Sequence, residues 1–346
     1  MHNTTRIPGN TMNSEEQIKI IEQVDRASVL VIGDLMLDRY LNGTMSRISP
    51  EAPAPLIDIT SESFRLGGAA NAINTICALG GNVIAVGVVG DDWFGKRLIG
   101  LLKQENVDTR CVIEIKERPT TVKTRVIAGQ HQIIRLDREC KDPVNDEYCQ
   151  SILDFIRKNI EQVDVILISD YNKGVVTNKL LKGSIDLAKK FKKPIIVYPK
   201  VEHFLDYKGV TIVITDLEKA GSVTGIRQIN ETSIRNMGQW LLTHLECEFV
   251  LITRGKDGFS LFEKNGSVTH VPSIADEVRN VTGTVDTVAS IITLSLASGI
   301  SPLIDSAHIA NIAVGIVVGK REATAVTRDE LKQKIHQISN GNTKGG

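Results

Sequence analysis

An aspartate that directly precedes an apolar helical run is well placed to do chemistry. Asp286 follows Gly283 by three residues and comes just before the apolar stretch 288–296. The first N–H groups of a helix lack partners within the helix and carry partial positive charge, so they bind anions. A carboxylate there accepts a proton from a hydroxyl group while the amides stabilise a transferred phosphoryl group. The sequence predicts a phosphoryl-transfer site, with Asp286 as the base and an anion hole at Gly283, Thr284 and Val285.

A second set of residues, in the first quarter of the chain, predicts a polyol site. Asp34 follows the apolar run 29–32, and open α/β sheets bind ligands at the carboxyl ends of their strands. Gly67 and Gly68 let the backbone approach a ligand closely, and the amide of Asn71 both donates and accepts hydrogen bonds. We expect these residues to bind a sugar. The alternative for Asp34 is a helix cap or a turn residue.

Short apolar runs alternate with amphipathic stretches, and this alternation predicts the elements that position both sets. Continuous apolar runs are typical of strands buried on both faces of a sheet; they cover residues 29–32, 83–89, 165–168, 195–197, 212–214 and 249–252. Helical patterns fall at 69–79, 94–104, 145–159, 178–190 and 234–244. The sequence predicts an α/β fold with a doubly wound, mostly parallel sheet and helices on both faces.

Two segments, residues 39–60 and 110–136, interrupt the alternation, and the second has a β-type pattern. We predict that both form a small β-sheet lid on the main domain; the alternative is a pair of edge hairpins with no moving role. An exposed apolar face on such a sheet favours a homodimer. We expect one domain over residues 15–335, with flexible ends at 1–14 and 336–346.

The composition argues against several classes of function. The 346 residues include 41 basic and 41 acidic ones, a balance that indicates neither nucleic-acid nor membrane binding. The polar start and the lack of an apolar run of about 18 residues predict a cytoplasmic protein. The five cysteines show no paired pattern and are interpreted as reduced core residues, and the seven histidines lack the spacing of a zinc site.

The motifs together resemble the ribokinase-like (PfkB) carbohydrate kinases, whose signature Gly-Ala-Gly-Asp corresponds to residues 283–286. Strings at residues 29–40, 46–55, 134–137 and 169–174 resemble one branch, the D-glycero-β-D-manno-heptose 7-phosphate kinase module of bacterial ADP-heptose synthesis. The resemblance covers about residues 28 to 330. It implies ATP-dependent phosphorylation of a heptose phosphate at the anomeric hydroxyl, with Mg²⁺ as a phosphate clamp, on the route to lipopolysaccharide core precursors. Since no nucleotidyltransferase half follows, we expect a stand-alone kinase module.

The resemblance also implies roles for individual residues. Lys173 would lie near the phosphate end of the sugar, beside the polyol site. The nucleotide side would include residues from four separate segments: Asp216, Lys219, Thr253, Gly255 and Asn311. Two alternatives remain open here, because residues 253–258 are equally typical of a hairpin turn and residues 310–319 of a tightly packed core helix.

Departures from the branch cluster on the nucleotide side. Tyr198 stands where the branch has aspartate, and Asp216 and Lys219 stand where it has an asparagine and a glutamate that organise hydrated Mg²⁺. A lysine binds phosphate but does not ligate a metal, so we assign no direct metal ligand. Asn280 replaces an aspartate, and the β-branched Val285 replaces a glycine, which predicts a narrowed anion hole.

These departures leave two alternatives to a heptose phosphate kinase. One is a kinase-fold protein that binds a sugar phosphate, turns over slowly or not at all, and serves as a sensor or partner subunit. The other is a kinase of a different sugar.

Overall fold

The computed structural model describes residues 14–24, 27–274, 283–300, 302–320 and 324–342. The predicted flexible start, residues 1–14, falls almost wholly outside these ranges, as does Asn280. None of the described helices has the length and apolar character that a membrane span needs.

Thirteen strands and ten α-helices make up the described residues. The strands are β1 (Ser28–Gly33), β2 (Leu35–Ile48), β3 (Pro55–Gly68), β4 (Asn82–Gly90), β5 (Asp108–Ile115), β6 (Thr121–Ala128), β7 (His131–Arg138), β8 (Val165–Ser169), β9 (Ile195–Tyr198), β10 (Ile212–Asp216), β11 (Phe249–Thr253), β12 (Phe259–Glu263) and β13 (Val268–Val271). The helices are α1 (Ser14–Gln23), α2 (Ala69–Ala78), α3 (Trp93–Gln104), α4 (Asp146–Asn159), α5 (Asn178–Lys190), α6 (Leu217–Thr224), α7 (Glu231–Leu245), α8 (Thr284–Ala297), α9 (Leu303–Val318) and α10 (Arg328–Asn342). Short 3₁₀ turns cover Ile160–Gln162, Val201–Asp206 and Gly255–Asp257.

Nine strands form one large sheet in the order β13-β12-β11-β10-β9-β8-β1-β4-β5. All neighbours from β11 through to β5 are parallel, whereas β12 and β13 pair antiparallel at one edge. Parallel strands must be covered on both faces, which is why their sequences are continuously apolar. The predicted doubly wound α/β fold is confirmed.

Two apolar cores lie on opposite faces of the large sheet. Successive residues of β1 point to opposite faces, and Val29 and Val31 join one core while Leu30 and Ile32 join the other. Helices α1, α2, α3, α8, α9 and α10 contribute to the first core, and α4 to α7 contribute to the second. The first core therefore contains α2 and α8, the helices whose first turns carry Asn71 and Asp286.

The small sheet has four strands in the order β3-β2-β6-β7. It contains the predicted segment 39–60 and most of the second segment, but β5 pairs parallel with β4 at the edge of the large sheet. The expectation that residues 110–115 belong to the small sheet is therefore wrong. The reason is physical: an edge strand is only half buried, so its sequence alternates like that of an exposed sheet.

The C-terminal region also differs from the prediction. Residues 336–346 were expected to be flexible, yet α10 continues to Asn342. Ile335 is buried, and Ile338 packs against the first core. The apolar contacts of one face of α10 thus keep this segment helical, although its polar composition alone predicts a frayed end.

Candidate active site

Asp286 is a buried carboxylate in the first turn of α8, 5% exposed. Its Oδ2 accepts a hydrogen bond from Asn71 Nδ2 at 2.8 Å, and its Oδ1 accepts one from the Tyr171 hydroxyl at 2.7 Å. Burial raises the pKa of the Asp286 carboxyl, and the two hydrogen bonds oppose that rise. The two partners fix the orientation of the carboxylate beside the first amides of a helix.

Asn71 reaches Asp286 because α2 and α8 pack side by side. Asn71 lies in the first turn of α2, which begins after Gly68, and Ser290 of α8 donates a hydrogen bond to the carbonyl of Ala72 at 3.1 Å. The two helix starts thus meet at the same edge of the sheet. The structure brings the predicted base and one predicted sugar residue into direct contact.

The backbone of the predicted anion hole differs from the expectation for Val285. Gly283 has φ 82° and caps α8, while Thr284 and Val285 lie within the helix and have no positive φ. Val285 also packs against the first core. The backbone at Val285 is therefore compatible with a β-branched residue, and the narrowing of the anion hole by its side chain stays a prediction.

Asp34 holds a loop in place with its carboxylate. Its Oδ2 accepts hydrogen bonds from the amides of Tyr171 and Lys173 at 2.8 and 3.1 Å, and its Oδ1 accepts one from the amide of Val175 at 3.2 Å. The side chain is 2% exposed, and burial together with the nearby Asp170 raises its pKa to about 6. In this structure Asp34 serves the loop 171–175, which in turn carries Tyr171 to Asp286.

The glycine pair also has close protein neighbours. A side chain at Gly67 would come within 2.8 Å of the Asp38 carboxylate, and one at Gly68, where φ is 56°, would come within 2.6 Å of the Asp34 carbonyl. Asp38 is buried and forms an ion pair with Arg125 of β6 at 2.6 Å. Its charge is near enough to add to the rise in the pKa of Asp286. The two glycines therefore let the small sheet approach the site.

Lys173 forms an ion pair with Glu139, the residue that directly follows β7. Its ammonium lies 2.8 Å from Glu139, and both side chains are mostly buried. Arg118 donates hydrogen bonds to the carbonyls of Lys173, Cys140 and Asp142, and so ties the two segments together.

A second buried carboxylate, Asp170, lies behind Asp34. It accepts hydrogen bonds from His203 Nε2 at 2.5 Å, from the Tyr207 hydroxyl at 2.7 Å and from the amide of Asn172 at 2.8 Å. Burial, followed by the charge of Asp170, raises the pKa of the Tyr207 phenol. These contacts hold the start of the loop 171–175 in place.

A series of contacts between aromatic and charged side chains connects Asp286 to two residues predicted for the nucleotide side, Asp216 and Lys219. The rings of Tyr171 and Tyr198 lie 6.1 Å apart in an edge arrangement. Tyr198 accepts a hydrogen bond from the Lys219 ammonium at 2.5 Å, and this ammonium lies 3.0 Å from Asp216. Asp216 also caps α6 by accepting from the amide of Lys219 at 2.8 Å.

The other three residues predicted for the nucleotide side lie on or beside neighbouring elements. Thr253 ends β11 and is buried, and Gly255 begins a 3₁₀ turn with φ 58°. Asn311 of α9 is buried and donates a hydrogen bond to the carbonyl of Pro272 at 2.6 Å. Asn311 thus connects α9 to the chain after β13.

The described side chains do not present the ligand set of a magnesium ion. Mg²⁺ takes oxygen ligands, and in phosphoryl-transfer sites a protein commonly supplies one or two carboxylates beside waters and the phosphates of the substrate. Asp216 is paired with Lys219 through both oxygens, and both oxygens of Asp286 accept hydrogen bonds. Within the described residues, no group of three acidic, histidine or cysteine side chains is arranged to hold a metal.

Sequence reasoning missed several residues of this site. Tyr171 and Asp170 lie in the family-like string 169–174, but the sequence predicted no function for either of them. It also predicted none for Asp38, Arg125 and Glu139. Their signal was weak, because a buried tyrosine or ion pair becomes meaningful only through a partner that is distant in sequence. For Tyr171 that partner is 115 positions away.

Comparison with protein families and curated proteins gives a consistent result. The model of the pfkB family carbohydrate kinases matches residues 26–330. The "Bifunctional protein HldE" of Geobacter metallireducens is 42% identical over 304 residues, which are 88% of this chain and 62% of the relative. The protein of the same name from Wolinella succinogenes is 37% identical over 322 residues, 92% of this chain and 67% of the relative. The chain thus spans about two thirds of the length of these relatives.

Solved structures share the fold at low sequence identity. Escherichia coli phosphofructokinase-2 in complex with potassium has a TM-score of 0.72 at 18% identity, covering 91% of this chain and 99% of that one. Arabidopsis thaliana ribokinase complexed with ribose and ATP has a TM-score of 0.69 at 16% identity, covering 90% and 99%. At this identity the similarity establishes the ribokinase-like fold.

Proposed function

Because the chain belongs to the pfkB family of carbohydrate kinases, we propose that it transfers the γ-phosphoryl group of ATP to the anomeric hydroxyl of a heptose 7-phosphate. The observation that carries this proposal is the position of Asp286, a buried and oriented carboxylate in the first turn of α8. A carboxylate at a helix start combines a proton acceptor with amides that bind an anion.

In the proposed reaction, Asp286 accepts the proton of the sugar hydroxyl. The hydroxyl oxygen forms a bond to the γ-phosphorus as the bond from that phosphorus to the β–γ bridging oxygen breaks, and ADP leaves. The amides of Gly283, Thr284 and Val285 stabilise the charge on the transferred group. Each carboxylate oxygen of Asp286 has a second lone pair, so the base can accept from the substrate while Asn71 and Tyr171 keep its orientation.

The choice of sugar rests on the sugar-side strings at residues 29–40, 46–55 and 169–174, which resemble the heptose 7-phosphate kinase branch. The relatives named HldE support the same branch. We propose the kinase activity for residues 26–330, the part that the family model matches. A kinase of another sugar phosphate is the nearest alternative, since the sugar contacts are inferred from resemblance.

A second candidate function is a sugar-phosphate-binding protein with little turnover. It is favoured by one observation: Lys219 and Tyr198 occupy the nucleotide side where the related branch has acidic residues. Such a protein would bind heptose 7-phosphate and release ADP at a very low rate.

We also propose a homodimer formed through the small sheet. Six large apolar side chains on this sheet are between 40% and 62% exposed, namely Met45, Ile48, Ile59, Ile133, Ile134 and Leu136. A second copy of the chain is the occupant that supplies a matching apolar sheet. Phosphofructokinase-2 of Escherichia coli, which has the same fold, has an inhibited form described as tetrameric.

The deciding experiment measures ADP release with a panel of sugar phosphates, including heptose 7-phosphate, together with thermal shifts for each ligand alone. A kinase responds to ATP and to its sugar, since a ligand that binds the folded state stabilises it. Sugar-dependent ADP release supports the kinase. A thermal shift with sugar phosphate but no ADP release supports the second candidate, and no response to any sugar phosphate contradicts both.

A further inference from the structure

The carboxyl ends of β9 and β10 place two lysines on the nucleotide side of Asp286. Lys200 follows β9 by two residues, and Lys219 is the third residue of α6, directly after β10. The two strands are parallel neighbours in the large sheet. Both lysines therefore lie at the edge of the sheet where α/β proteins bind their ligands.

Lys219 is held rigidly and points into the site. Its side chain is 13% exposed and is fixed by Tyr198 at 2.5 Å and Asp216 at 3.0 Å. Its charge acts on Asp286, where it opposes the rise in pKa that burial causes. Lys219 is thus close enough to Asp286 for its charge to act on that carboxylate.

Lys200 forms no close ion pair with a carboxylate among the described residues, although the charges of Glu202 and Asp170 act on its ammonium and oppose the lowering of its pKa by burial. Its ammonium lies 5.6 Å from the centre of the Tyr171 ring, a cation–π contact. Burial and the charge of Lys219 both lower the pKa of Lys200. Two cations that repel each other at a half-buried site gain stability from an anion placed between them.

We propose that Lys200 and Lys219 bind the phosphate chain of the nucleotide directly, so that nucleotide binding by this protein requires no divalent cation. The inference rests on the kinase function proposed above. It follows from two observations: Lys219 engages both carboxylate oxygens of Asp216, and the two lysines follow the carboxyl ends of neighbouring parallel strands. Lysine ammonium groups bind phosphate as point charges, which is the charge neutralisation that a metal ion otherwise supplies.

The test is calorimetric titration with tripolyphosphate and with ADP, each in EDTA and in Mg²⁺. We expect both ligands to bind in EDTA. Lys219→Gln and Lys200→Gln should each weaken this binding about tenfold or more, because each removes a charge-assisted hydrogen bond. Lys219→Arg should retain most of the affinity, which shows that the loss in Lys219→Gln comes from charge and not from misfolding.

Lys208→Gln is the matched control, since Lys208 is an exposed lysine before the opposite end of β10. It should leave the affinity unchanged. A wild-type protein that binds either ligand only when Mg²⁺ is present overturns the proposal, as does Lys219→Gln binding as tightly as Lys208→Gln. The double variant Tyr198→Asp with Lys219→Glu should lose binding in EDTA; if it keeps that binding, the lysine site is refuted.

The result is independent of the kinase assay. Tripolyphosphate binding in EDTA with no phosphorylation of any sugar phosphate would support the lysine site and contradict the kinase function. Sugar phosphorylation with strictly Mg²⁺-dependent nucleotide binding would support the kinase function and contradict the lysine site.

Discussion

Asp286, the proposed general base, is buried, yet a general base must be ionised at the pH where the protein works. Burial disfavours the charged form, and the two hydrogen bonds from Asn71 and Tyr171 favour it. Tyr171 adds little competition for the proton, because burial, followed by the charge of Asp286, raises its own pKa well above the ordinary value. Tyr171 therefore stays protonated and donates its hydrogen bond to the Asp286 carboxylate, which keeps the negative charge.

We predict that Asp286→Asn lowers the rate of phosphoryl transfer about 10²–10⁴-fold while heptose 7-phosphate binds with nearly unchanged affinity. Removal of a general base has an effect of that size. The rate is measured as ADP release and the affinity by calorimetry. Asp329→Asn is the control, since Asp329 is an exposed aspartate in the first turn of another helix, α10. Wild-type turnover in Asp286→Asn would exclude Asp286 as the base.

Asp34 predicts a pH dependence of stability. Its pKa is about 6 in the folded protein against an ordinary value of 3.8, so the folded state binds this proton more tightly than the unfolded chain. The contribution of Asp34 to the free energy of unfolding is therefore largest below about pH 4 and declines as the pH rises through about 6. At about 1.4 kcal/mol per pKa unit, the decline amounts to about 3 kcal/mol.

The measurement is chemical denaturation of the wild type and of Asp34→Asn, which does not titrate, between about pH 4 and pH 7. The difference between the two free energies of unfolding should move in favour of Asp34→Asn as the pH rises. A difference that stays constant across this range would show that the Asp34 pKa is the same in both states.

At the level of elements, the site depends on one loop, residues 170–175, that is tied from three directions. Asp34 binds its amides, Asp170 turns back to His203 and Tyr207, and Arg118 binds its carbonyl at Lys173. The loop has no regular secondary structure of its own, so these side chains supply its hydrogen bonds. Any residue that fixes this loop also positions Tyr171.

We predict that Arg118→Met lowers the affinity for heptose 7-phosphate about threefold to tenfold and destabilises the fold, because it leaves three carbonyls without their donor. Calorimetry and thermal unfolding measure the two effects. Arg110→Met is the control: Arg110 forms an ion pair with the neighbouring Asp108 on the surface, where ion pairs contribute little, and it also contacts the ring of Phe155. If Arg118→Met behaves like Arg110→Met, the loop does not depend on this tie.

The sequence was sufficient for elements whose pattern reflects local burial. The six apolar runs correspond to β1, β4, β8, β9, β10 and β11. A strand that is covered on both faces is almost continuously apolar, so its sequence is recognisable. The sequence was insufficient where the environment depends on distant residues. The antiparallel edge of β12 and β13, the assignment of β5 to the large sheet and the contact between Tyr171 and Asp286 all arise from packing.

For the site, the sequence identified where polar groups converge but not which partners they have. Asp34 and Asn71 were expected to face a sugar, and the structure shows them bound to the loop 171–175 and to Asp286. A carboxylate at the end of a strand is compatible with a ligand contact and with a loop contact. Only the three-dimensional arrangement distinguishes these possibilities.

For the whole molecule, the concentration of exposed apolar residues on the small sheet predicts the oligomeric state. We expect the wild type to be a dimer by light scattering and Ile134→Lys with Leu136→Lys to be a monomer, since charges in the interface oppose its desolvation. Ile229→Lys is the control, because Ile229 is 53% exposed away from this sheet. A double variant that remains dimeric would place the interface elsewhere.

The hydrogen bond between Asn71 and Asp286 joins residues 215 positions apart in the chain. At about 5–20 residues per second, a ribosome needs roughly 10–40 s to synthesise the segment between them. During that time α2 has been made but α8, the helix that covers it, has not. The apolar face of α2 is therefore exposed on the nascent chain, and we expect chaperones to bind there until α8 emerges. Contacts of such long sequence separation also slow folding, so in refolding experiments activity should recover after most of the secondary structure has formed.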